Sequence, residues 1–156
     1  MPDELTPKNK MDPYVLPIAF TTFGEIKRRE TKGQIVVIFN RSYDKRGLRL
    51  IPQLTRVLCQ NEIHELMTTD EVDAEPNKTV DRVATIGFFE ITQGGSVAVG
   101  EPVFINGKEI GKLAGFDETH FPNHYNIVVI SPERFTGTEE NLNINDEVII
   151  GAPITA

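Results

Sequence analysis

The sequence predicts an α+β fold that is mostly β: a small antiparallel or partly closed β-barrel with one principal helix over about residues 51–67. Three observations lead there. From Val80 onward, short apolar segments recur about every ten residues, separated by glycine-containing turns, a spacing typical of small all-β folds. Residues 34–39 hold an unbroken β-branched and aromatic run from Ile35 to Phe39. One stretch alone, 51–67, carries apolar residues at the three- and four-residue spacing of an amphipathic helix.

In chain order, residues 1–12 hold two prolines and alternating charges and are expected to be a flexible arm, with residues 13–156 forming one globular domain. Residues 14–20 are apolar enough for a strand, but Pro17 has no N–H and confines it to a sheet edge or a bulge. A charged connection, 25–32, leads to the strand at 34–39, whose continuous hydrophobicity predicts burial on both faces. The helix is expected to begin near Pro52, which suits a first turn, and to bury Leu54, Val57, Leu58, Ile63, Leu66 and Met67. Next come an acidic segment and Pro76-Asn77, a turn signal. A strand over 82–91 is expected to turn at Gly94-Gly95 into a second over 96–99. Residues 102–105 and 109–113 flank Asn106-Gly107, the dipeptide best suited to a type I′ hairpin turn. Residues 125–130 and 147–150 complete the strands, on either side of a polar loop.

Composition removes several function classes. The net charge of -7 argues against a nucleic-acid partner, because phosphate affinity depends on clustered Lys and Arg. Cys59 is the only cysteine, so no intrachain disulfide can form. No apolar run approaches the roughly 20 residues needed to span a bilayer, and the N-terminal residues lack an apolar signal core. The expected setting is the cytoplasm, without a membrane partner.

Chemistry concentrates in residues 117–126, which hold two of the three histidines. His120 and His124 are the candidate catalytic residues. Together with Asp117, and with His64 if it reaches the loop, they could ligate a divalent metal such as Zn, Fe or Ni. Asn123 and Asn126 could bind a small-molecule ligand or satisfy loop amides, and Asp117 and Thr119 could cap a turn. Pro122 argues against a regular helix here, so the histidine rings would have to converge through a tight turn. His64-Glu65 is not a zinc-protease motif, because Thr68 stands where the second histidine would be. Glu62 and Glu65 read as solvent-facing helix charges, and Cys59 as inert core. Arg41, Lys45, Arg46 and Arg49 cluster around Gly47, and Arg46 and Arg49 could hold an anionic group. The sequence leaves two functional readings: a small-molecule-binding or metal-dependent domain, enzymatic or not, and a non-catalytic β-barrel module assembling as a homo-oligomer.

Overall fold

A computed structural model describes residues 28–151 of the 156-residue chain. The expected arm at 1–12 and edge strand at 14–20 lie outside the described residues. The described residues form twelve strands and no helix: β1 (Thr31–Ile38), β2 (Ser42–Tyr43), β3 (Leu48–Arg49), β4 (Thr55–Leu58), β5 (Ile63–Thr69), β6 (Thr79–Val80), β7 (Val83–Gln93), β8 (Gly95–Ala98), β9 (Pro102–Ile105), β10 (Lys108–Asp117), β11 (Asn126–Ile130) and β12 (Glu147–Ile150).

The principal pairings run β1-β12-β9-β10-β11-β5-β7 and return from β7 to β1, with β2 added along β7. A closed circuit of seven strands cannot be antiparallel at every step, because the chain direction must be restored on completing the ring. One step has to be parallel, and it is β11 against β5, with Asn126 opposite Glu65. Two small ladders, β3 with β6 and β4 with β8, lie outside the circuit.

The expected helix at 51–67 is replaced by β4, a turn and β5. Thr55, Val57, Ile63, Thr68 and Thr69 are β-branched and favour an extended backbone. Asn61 takes a left-handed conformation, φ 76°, that breaks any continuous helix. Val57 and Ile63, assigned to the helix's buried stripe, are 68% and 44% exposed. β4 and β5 run antiparallel to β8 and β7, forming one long interrupted ladder from Thr55 opposite Ala98 to Thr69 opposite Val83. The chain therefore passes through Gly94-Gly95 without reversing. The expected hairpin there is absent, and the glycines instead permit close packing, since a Cβ on Gly94 would crowd the Leu58 carbonyl.

Other elements follow their local chemistry. Asn106 and Gly107 have φ 51° and 81°, as a type I′ turn requires, and join β9 to β10. β1 is not buried on both faces. Thr31, Gly33 and Ile35 point inward, while Gln34 and Val37 are exposed.

Side-chain alternation divides the apolar residues into two clusters. Leu66, Ile127 and Val129 join the main core with Phe89 and Phe116. Met67 and Val128, one residue along, face a second cluster with Leu48, Leu50 and Val80. β5 and β11 are thus covered on both sides, the outer cover coming from the segment around β3 and β6. No helix among the described residues is long and apolar enough to cross a membrane.

The β1–β7 contact closes the circuit, and Gly87 is its tightest point: a methyl group there would overlap the Val37 carbonyl. Gly87→Ala is expected to lower stability by about 1–3 kcal/mol through overpacking. Gly107→Ala, in open space with φ 81°, should cost only about 1 kcal/mol through backbone strain. Urea denaturation midpoints compare the two. A midpoint for Gly87→Ala equal to the parent's would contradict the closure.

Candidate functional site

β10 ends at Asp117 and β11 begins at Asn126, and these two residues are paired, so 118–125 is a hairpin loop. Asp117 is 2% exposed and ties this loop down. Its Oδ1 accepts the Thr119 N–H at 2.9 Å and the Asn126 side-chain amide at 3.0 Å. Its Oδ2 accepts the Arg49 N–H at 3.1 Å, joining the loop to β3. A buried carboxylate is tolerable only with such donors. Asp117 and Asn126 are therefore spent on holding the loop, and the turn-capping expectation for Asp117 and Thr119 matches this geometry.

His64 does reach the loop. Its Nδ1 accepts the Tyr125 N–H at 3.0 Å, which leaves the ring proton on Nε2, 3.0 Å from Glu62 Oε1. Both ring nitrogens are thus engaged. Glu65, the next residue on β5, faces the opposite side, and there it meets His124: Nε2 lies 3.6 Å from Glu65 Oε1. The His120 ring stands 5.1 Å from the His124 ring, and Asn123 Nδ2 approaches His124 Nδ1 at 3.3 Å. The three histidines are consequently divided between the two faces of β5. Among the described residues no group of three or more His, Cys, Asp or Glu is placed to hold a metal ion.

Glu65 lines a cavity of about 280 Å³, with His124 behind it. Phe39 and Met67 form its apolar wall, Tyr43 and Thr85 add hydroxyls, and Arg41, Arg46 and His120 complete the lining around Glu65. Phe88, directly across from Glu65 on β7, packs edge-on against both His124 and Phe39. Burial among these groups pushes the Glu65 carboxyl up to about 7, with Arg46 opposing the shift. The His124 imidazole is lowered, first by burial and then by His120, and Asn126 partly offsets this. A carboxyl that is partly protonated near neutrality and a neutral imidazole thus face each other beside a cavity.

The sequence named His120, His124 and Arg46, and the fold brings them together. Asn123 is exposed and touches the site through His124. Arg49 donates its backbone N–H to Asp117 but does not line the cavity. Cys59, expected to be core, is exposed. The residue sequence reasoning missed is Glu65. Reading 63–69 with a period of two puts Glu65 on the same face as buried Met67, and that was the available signal.

A family model described as "Family of unknown function (DUF6917)" matches residues 25–151. No curated protein matches the chain, and no solved structure does.

Removing the Asp117 carboxylate orphans three donors at once. Asp117→Ala is expected to destabilise the fold by about 3 kcal/mol, and Asp117→Asn by less, since its carbonyl still accepts. Denaturant titration measures both. Equal midpoints for Asp117→Ala and the parent would show that the loop does not depend on this residue.

Proposed function

The chain belongs to this family of unknown function (DUF6917), and we propose that its described domain binds a small molecule in the cavity beside Glu65 and moves a proton there through the Glu65–His124 pair. One observation carries the reading: a carboxyl at about 7 lies 3.6 Å from an imidazole nitrogen at the edge of a cavity. A general acid or base works best when its pKa lies near the operating pH. Glu65 meets that condition as donor or acceptor, His124 Nε2 stands at the carboxyl as its relay, and His120 borders the cavity as a second imidazole. In this reading the strand circuit is a small barrel and the site opens on its outer face. The setting is the cytoplasm, where the exposed thiol of Cys59 stays reduced.

The assembly reading has one observation in its favour. Among the described residues β4 pairs with β8 alone and carries Val57, 68% exposed, on the resulting edge. Light scattering tests it: a dimer that Val57→Lys dissociates supports assembly through this edge, and a monomer at all concentrations removes it.

The acid–base reading is tested at Glu65 itself. Its side-chain carboxyl carbon should titrate by NMR with a midpoint near 7, and a midpoint near 4.5 would sink the proposal. The stability sign follows from the raised value. The folded state holds the proton more tightly than the unfolded chain, so Glu65 costs stability as pH rises from about 4.5 through 7. Arg46, Arg41, His120, His124 and Tyr43 are the charged or titratable groups around it, and Glu65→Gln leaves all five in place. Glu65→Gln should therefore be more stable than the parent at pH 8, by about 1–2 kcal/mol after allowance for solvent screening at the open cavity. The difference should shrink as pH falls and vanish below about 4.5.

A further inference from the structure

Resting on the reading of the cavity as a ligand site, we infer that its ligand is a small organic anion, with a carboxylate or phosphate head held by Arg41 and Arg46 and an apolar body against Phe39 and Met67.

Among the described residues, five arginines have side-chain partners, and Arg49, which has none, does not line the cavity. Arg28 pairs with Glu101, Arg82 with Asp70 and Asp44, and Arg134 with Asp44. Arg29 donates to the Gly94 carbonyl, and Arg56 lies 3.7 Å over the Tyr125 ring, near Glu118. Arg41 and Arg46 differ. Among the described residues neither guanidinium has a carboxylate within 4.0 Å or a hydrogen-bond acceptor, and both line the same cavity. In a chain of net charge -7 that placement is informative, because carboxylates are plentiful elsewhere on the surface. Two arginines without a carboxylate partner, both lining one cavity, are a positive focus within an acidic protein, and they attract small anions.

The two arginines are also held at the backbone. The Arg41 carbonyl accepts both the Thr85 N–H at 2.8 Å and the Thr85 hydroxyl at 3.1 Å. Its own N–H lies 3.3 Å from that hydroxyl. The Arg46 N–H donates to the Asp81 carbonyl at 2.9 Å, and its guanidinium stands 6.0 Å from the centre of the Tyr43 ring. These contacts fix the backbone from which both side chains reach the cavity.

The rest of the lining limits what the anion can be. Glu65 stands among the arginines, so a second anionic group on the ligand would meet its carboxylate and only one head is accommodated. Phe39 and Met67 ask for an apolar body. At about 280 Å³ the space falls at the small end of ligand sites, so the molecule is of metabolite size.

The test uses the full chain and four probes: benzoate, phenyl phosphate, benzyl alcohol and inorganic phosphate, each followed by NMR shifts of Phe39, Thr85 and Glu65. Benzoate or phenyl phosphate should perturb all three residues, and whichever binds more tightly identifies the head. Arg41→Gln with Arg46→Gln should weaken that probe at least tenfold while leaving the amide spectrum folded. Benzyl alcohol and inorganic phosphate, each lacking one half of the ligand, should bind at least tenfold more weakly. If benzyl alcohol binds as well as benzoate, or the double variant binds benzoate unchanged, the anion inference is overturned while the cavity remains a ligand site. If no probe perturbs these residues, the inference also fails, and the Glu65 titration separately decides the acid–base reading.

Discussion

The parallel contact between β5 and β11 is the constraint on which the rest depends. Seven strands joined in a closed circuit need one parallel step, and placing it here sets the beginnings of both strands side by side. The turn before β5 and the loop before β11 therefore open at the same end. His64 and Glu65 arrive from one, and His124, Tyr125 and Asn126 from the other. Two antiparallel neighbours would have set the start of one strand against the end of the other, and these residues would have been separated by the strand length.

Alternation along β5 then sorts the chemistry. His64 faces one side and is consumed by the Tyr125 N–H and Glu62, so it works as a strut joining the two strand entries. Glu65 faces the other side, where Asn126 and Phe88 are its lateral neighbours on β11 and β7. Those neighbours remove water without supplying a cation at hydrogen-bonding distance, and this raises the carboxyl. Asp117, only one strand away, shows the opposite solution. It is more deeply buried than Glu65 but receives three donors, and it serves to fix the loop.

How much was legible in the sequence follows the range of the interactions. The Asn106-Gly107 turn, β9, β11 and β12 are set by local chemistry and were read almost to the residue. The segment 51–67 was misread because Leu54, Val57, Leu58, Ile63, Leu66 and Met67 fit a helical stripe as well as two interrupted strands. The choice between them was made by partners distant in the sequence, β7, β8 and β11. Local evidence did exist in the β-branched residues and in Asn61. The same misreading hid Glu65, since a helix would have turned it to solvent, whereas a strand covered on both faces turns it into the cavity. The histidine loop and the arginine cluster were both visible as separate features. Their convergence was not, because it depends on the β2–β7 and β5–β11 contacts, which no local pattern encodes.

Glu65 and Arg46 line one cavity and attract each other when Glu65 is ionised, yet they are not joined in an ion pair. An ordinary carboxylate in that position would be fully ionised at neutral pH and would draw the guanidinium toward itself, satisfying both. Burial beside Phe88 and His124 instead leaves Glu65 partly protonated at that pH, which weakens its claim on Arg46. The fork is then free to receive an anion from outside, and the anion in turn screens Arg46 from Glu65 and favours the protonated carboxyl. In the proposed reading, anion binding and proton uptake at Glu65 would therefore be coupled in the same direction, each strengthening the other. On the proposed function, a site built in this way would recruit its acid at the moment its ligand arrives, and the apolar neighbours of Glu65 are what would make that possible.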